Sequence, residues 1–107
     1  MFEKKYKEKL IAQLKINGIS YSIRATAHAM QRMDEREINE YVISGNIMAL
    51  GKDKITELQS NNDEAIIIDE LKNVAIVIGF KGNRIYVITV INKSNVYVKD
   101  NTVIERI

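Results

Sequence analysis

A chain of 107 residues with 16 Lys and Arg, 14 Asp and Glu and a single His carries a formal charge of +2, too small to mark a nucleic-acid binder by charge alone. Cysteine is absent, which excludes a disulfide framework, a thiol nucleophile and a cysteine-ligated zinc; with one histidine, neither a metal site within the chain nor a cofactor is expected. One domain, 1–107, is the default at this size, and no apolar run approaches the ~20 residues that span a bilayer, so no membrane partner is expected.

In chain order, residues 2–15 read as a helix, with Phe2, Tyr6, Leu10 and Leu14 at spacing four and Ile11 beside them. Lysines 4, 5, 7, 9 and 15 fill much of the rest and read as a solvated face. The N-terminus is charged and unlike an export signal. Asn17-Gly18 would stop the helix. Ile19, Tyr21 and Ile23 then alternate with Ser20, Ser22 and Arg24, a short strand leading into the central stretch.

That stretch, IRATAHAMQRMDEREI over residues 23–38, is expected to be a helix over 27–36 with Thr26 as its N-cap. His28, Arg32 and Arg36 fall at i, i+4 and i+8 and line one face. Ala27, Met30 and Met33 form an apolar stripe beside them. Asn39 can cap a second helix through Ser44, with Gly45 as its end and Tyr41, Val42 and Ile43 on its buried side. Residues 47–50 read as a brief strand and 55–59 as a weak one, and Asn61-Asn62-Asp63 is turn chemistry.

Strands are expected at 65–69, 74–80 and 84–91, with Lys81-Gly82-Asn83 as a hairpin turn. After a turn at 92–95, short strands at 96–98 and 103–107 flank a further turn at 99–102. The expected fold is therefore α+β: N-terminal helices (1–18 and the helical motif region 19–46) packed on an antiparallel sheet over 47–107. The middle strands are apolar at both parities, so the second face of the sheet should also be covered. The N-terminal helix, the C-terminal tail and another chain, such as a second copy in a homodimer, are the candidate covers.

Histidine, arginines and a further acid or base suit metal-independent RNA cleavage by 2′-hydroxyl attack. That reaction needs a base for the hydroxyl, an acid for the leaving oxygen and cations for the phosphorane. His28 can serve as base or acid, and Arg32 and Arg36 can fork onto phosphate. Arg24 lies just upstream. Arg84 and Tyr86 lie on one face of the strand 84–91 and Thr89 on the other, with Lys81, Lys93 and Glu57 as further candidates. Plainer readings exist for each. Asp34, Glu35 and Glu37 can absorb Arg32 and Arg36 in local ion pairs, Met30 and Met33 suit a core, and Thr89 suits any strand.

The segment Arg24-Ala-Thr-Ala-His28-Ala-Met-Gln-Arg32-Met33-Asp-Glu-Arg36-Glu-Ile38, the restart at Asn39-Glu40-Tyr41-Val42 and the strand Val87-Ile88-Thr89-Val90 resemble the domain-of-unknown-function family numbered 4258. The resemblance covers about residues 22–92. That family is similar to the RelE- and barnase-like ribonuclease toxins of toxin–antitoxin and contact-toxin systems. The resemblance implies catalytic roles for His28, Arg32, Arg36 and Thr89, RNA as substrate, and a cognate antitoxin or immunity protein as partner. It implies action in the cytoplasm, with delivery from another cell as part of a larger toxin as a variant. Together with Arg24, Arg84, Tyr86 and Lys81 as substrate contacts, these residues define a metal-independent endoribonuclease toxin. The alternative is a non-catalytic protein-binding module on the same fold, an inhibitor or regulatory partner. A nucleic-acid binder without catalysis is a third reading.

Overall fold

The computed structural model describes residues 5–98 and 102–107. Its frame is a six-stranded sheet in the order β1-β2-β5-β4-β3-β6, built from β1 (Lys9–Ile16), β2 (Ile19–Ala25), β3 (Ala65–Asp69), β4 (Val74–Lys81), β5 (Arg84–Ile91) and β6 (Val103–Arg106). Three helices, α1 (Ala27–Glu35), α2 (Glu40–Ala49) and α3 (Lys52–Asn61), lie between β2 and β3 in the chain. The expectation of N-terminal helices on a purely antiparallel sheet is therefore corrected twice. The helices are inserted between strands, and the sheet is mixed, because β2 pairs parallel with β5 and β3 pairs parallel with β6. The meander β3-β4-β5 is antiparallel as expected.

The first correction comes from the N-terminus, where the predicted helix is strand β1 from Lys9 on. Leu10 and Leu14 fit a spacing of four, but Leu10, Ala12, Leu14 and Ile16 also fit a spacing of two. Asn17-Gly18 decides between them. Both residues have positive φ, 53° and 79°, which is the two-residue hairpin turn that asparagine–glycine favours. Ile16 accordingly faces Ile19 across the hairpin. The start of the predicted helix, residues 2–4, lies outside the described residues.

Two further strands expected from sequence are helical. Residues 47–50 fall within or cap α2, which runs through Gly45 instead of ending there, and residues 55–59 belong to α3. Ile55 and Leu58, three apart, are the buried positions of α3, a helical spacing. Tyr41, expected in the core, is 84 % exposed. The segment 96–98 forms no strand, and most of the turn expected at 99–102 lies outside the described residues.

All three helices pack on one face of the sheet. Ala29 and Met33 of α1, Ile43 and Ile47 of α2, and Ile55 and Leu58 of α3 share one core with Tyr21, Ile23 and Ala25 of β2 and with Ile76, Ile78, Ile85, Val87 and Val90 of the meander. A second, smaller core lies on the opposite face. Ile66, Ile68 and Ala75 are buried there under Val96 and Val98, with Val77 and Ile91 at the margin. Of the three candidate covers for that face, the C-terminal segment is the one observed. It starts from Ser94, whose amide and hydroxyl donate to Asn73 Oδ1 at 2.9 and 3.1 Å, so the cover is pinned to the β3–β4 turn. None of the helices among the described residues is long and apolar enough to cross a membrane.

Candidate nucleic-acid interface

Helix α1 forms as its sequence dictates. Thr26 is extended, and its hydroxyl accepts from the Ala29 amide at 3.1 Å. The same hydroxyl donates to the Ile88 carbonyl at 3.2 Å, while the Thr26 amide donates to the Val87 carbonyl at 3.1 Å. One threonine thus caps the helix and ties it to β5. His28, two residues on, is exposed at the start of α1, close to the end of the β2–β5 pair.

The remaining helical candidates have structural partners. Arg32 reaches both carboxylate oxygens of Glu35 at 3.1 Å, an i,i+3 pair on the surface of the kind that contributes little to stability. Arg36 is half-buried and donates to the Val90 carbonyl, so it binds the end of α1 to β5. Below it the helix closes with Ile38 N donating to Met33 O and Glu37 N to Asp34 O, a Schellman closure with Glu37 in the left-handed region at φ 55°.

The candidates on strands come together elsewhere. In the parallel pairing Arg24 is opposite Tyr86 and Ser22 is opposite Arg84. In the adjoining hairpin Lys81 is opposite Arg84 and Gly79 is opposite Tyr86. Partners in register point to the same side of a sheet. Ile23, Ala25, Ile85 and Val87 are buried under the helices, so Arg24, Arg84, Tyr86 and Lys81 all point to the opposite side. Among the described residues, neither a helix nor the segment 96–98 packs on this half of the second face. Arg84 and Lys81 are exposed, and Arg24 and Tyr86 are half-buried at the edge of the patch. A Cβ on Gly79 would lie 3.1 Å from Ile88 Cδ1, so glycine is what lets Ile88 lie flat beside Tyr86.

Thr89 does not stand on the side opposite Arg84 and Tyr86, as strict alternation predicts. Val77 pairs with Thr89 and Ile78 with Val87, leaving Ile88 as an extra residue in β5. This bulge puts Thr89 on the second face with Ile88, where both line a cavity of about 210 Å³ beneath Tyr97 and Val98. Thr89 is therefore separated from α1 by the sheet.

Three features of the patch escaped sequence reasoning. Glu8, just before β1, lies against Arg24, with 3.3 Å between Oε2 and Nη1. The Arg24 Nε is buried without a hydrogen-bond partner. Gln59 of α3 accepts from Tyr21 Oη at 2.5 Å and donates to the Gly82 carbonyl and to Asn83 Oδ1 at 2.9 Å each, which fixes the turn that begins β5 at Arg84. No motif marks these roles; each depends on strand register. Arg84 Nη1 is 3.5 Å from Tyr86 Oη. The Tyr86 hydroxyl above all, with a smaller effect from Glu8, holds the Arg84 guanidinium above its ordinary proton affinity. It is cationic at any physiological pH.

The helix side has a groove of a different character. Met30, Met33 and Ile38 floor a cleft of about 610 Å³ rimmed by Asp34, Glu37 and Glu40. Tyr6 donates to Asp34 at 2.6 Å, and Lys9 pairs with Glu40 at 2.5 Å. Its acidic rim repels a polyanion, whereas the sheet patch attracts one. Among the described residues no group of three or more His, Cys, Asp or Glu side chains is arranged to hold a metal ion.

Comparison of the chain with protein-family models, with curated proteins and with solved structures gives no match.

Proposed function

We propose that this protein acts on RNA, as a metal-independent endoribonuclease of toxin type whose substrate lies across the uncovered half of the sheet. The observation that carries the reading is the convergence of Arg24, Lys81, Arg84 and Tyr86 on one side of the sheet, away from the helices. The sequence scatters these residues over β2, β4 and β5, and strand register brings them together. Three cations beside a phenol provide phosphate contacts and a stacking ring, the combination that a single strand of RNA needs. The resemblance of residues 22–92 to the domain-of-unknown-function family numbered 4258, itself similar to ribonuclease toxins, supports the same reading.

His28 is the group assigned to proton transfer; it is exposed at the start of α1, just past the end of β2, on the helix side of the sheet, whereas the basic patch is on the other side. In the proposed reaction a base takes the proton of the 2′-hydroxyl and the freed oxygen attacks the adjacent phosphorus. The bond to the 5′-oxygen breaks, and that oxygen leaves with a proton from an acid. In this reading His28 fills one of these two roles for a strand of RNA that passes over the end of β2, and the guanidiniums of Arg24 and Arg84 hold its neighbouring phosphates. Arg36, bonded to Val90, and Arg32, paired with Glu35, act from the helix as positioning residues. A cognate antitoxin or immunity protein would block the patch.

The test is incubation of folded protein with RNA in EDTA, wild type beside His28→Ala, with products resolved on a denaturing gel. The expected result is discrete fragments from wild type and a loss of about 10²-fold or more in the variant, the usual worth of a general acid or base. Intact RNA in both lanes overturns the nuclease reading and leaves the binding module.

A further inference from the structure

Arg24 and Arg84 stand in neighbouring strands, one register step apart, and like charges so placed repel. Among the described residues the carboxylate against them is Glu8, which precedes β1 and is not part of the sheet. It touches Arg24 through a single oxygen at 3.3 Å, and the two side chains are 46 % and 32 % exposed. An ion pair this open contributes little and exchanges readily. It also leaves part of the guanidinium unused, since the Arg24 Nε has no acceptor. Guanidinium is shaped to donate through two parallel N–H groups to one anion, and a buried donor left without an acceptor is costly. The Arg84–Tyr86 contact, at 3.5 Å, is long enough that both groups keep donors to offer. Two guanidiniums against one carboxylate leave one positive charge uncompensated, and Lys81 beside Arg84 adds another.

We infer that Arg24, Arg84 and the Tyr86 hydroxyl form a phosphodiester subsite, and that Glu8 occupies it as an intramolecular stand-in which the phosphate displaces. The inference rests on the RNA reading of the sheet face and names the group recognised there. Glu8 leaves by rotation of its own side chain, with Tyr6 still bonded to Asp34 and Lys9 to Glu40. The incoming phosphate gives the buried Arg24 Nε the acceptor that a single carboxylate oxygen on Nη1 does not supply, once Glu8 has moved aside. Glu8 thereby sets a threshold: an anion that reaches Arg24 through one oxygen gains nothing over it, whereas a phosphodiester that offers separate oxygens to Arg24 and Arg84 does.

The test uses the full chain and two probes, a 2′-O-methyl RNA oligonucleotide, which lacks the attacking hydroxyl, and inorganic phosphate. Oligonucleotide affinity is read by fluorescence anisotropy, and phosphate by the NMR shift of the Arg24 Nε–H. Glu8→Gln is expected to tighten oligonucleotide binding about two- to fivefold at low salt, the scale of a lost surface ion pair, and Arg24→Gln to weaken it. Oligonucleotide binding that Glu8→Gln leaves unchanged or weakens overturns the subsite while sparing the RNA reading. A phosphate shift at Arg24 that grows in Glu8→Gln, with no oligonucleotide bound by either protein, supports the subsite and overturns the RNA reading.

Discussion

The second face of the sheet is two surfaces side by side. Over β3 and β4 it is apolar and closed, with Ile66, Ile68 and Ala75 under Val96 and Val98. Over β2 and the start of β5 it is basic and open, with Arg24, Lys81, Arg84 and Tyr86. Strand β5 belongs to both, giving Ile91 to the closed half and Arg84 to the open one. The contrast shows how to read a sheet whose middle strands are apolar at both parities. Apolar residues on the second face mark where the chain covers itself, since each buried Å² of apolar surface stabilises by roughly 25 cal/mol. The point along β5 where that pattern stops marks where the chain leaves room for something else.

Substitutions can break this comparison, and the largest effect should come from the helix-covered side. Ile76 is fully buried in the main core, so Ile76→Ala should cost about 2–5 kcal/mol in urea unfolding. Its neighbour Val77, half-buried on the second face, should lose only about 1 kcal/mol as Val77→Ala. Equal losses would mean that the smaller core matters as much as the larger. Next is Thr26→Ala, which removes the cap of α1 and its tether to Ile88 together. It should cost about 1–2 kcal/mol, read as a lower thermal midpoint. The smallest stability effect belongs to the open half. Arg84→Ala should change unfolding free energy by less than about 0.5 kcal/mol, as surface substitutions do, while weakening oligonucleotide binding severalfold. A variant that unfolds instead would identify the patch as structural.

Where one local rule governed, the sequence was sufficient. Strands β3 and β5 have the predicted bounds because their β-branched runs end at turn residues on both sides. Helix α1 follows from the Thr26 cap. Where two rules competed, the reading failed. Leu10 and Leu14 satisfy helical and strand periods alike, and only the dihedral angles of Asn17 and Gly18 separate them. In α3 the three-residue spacing of Ile55 and Leu58 prevails over the β-propensity of Ile55 and Thr56. The site was legible as a set of residue types and not as an arrangement. Arg84 and Tyr86 announce a shared face, but nothing local says that β2 will lie parallel to β5 and bring Arg24 to them. Nor does the β-branched run over residues 87–91 show that Ile88 is an extra residue, the bulge that turns Thr89 to the second face.

The parallel pairing of β2 with β5 also sets the order in which the molecule can be made. The hairpin β1–β2 and the meander β3–β4–β5 each join neighbours in the chain, and such local units close quickly. The seam between them joins residues far apart, as in the Thr26–Ile88 bond across 62 positions, and the entropy of that closure slows it. Arg24 is on one side of the seam and Arg84 on the other. During synthesis the first of the two guanidiniums emerges with all three helices still to be translated, and the pair exists only once the last long strand has docked. The anion-attracting surface is thus a late product of folding, absent from any nascent chain that has not yet made β5.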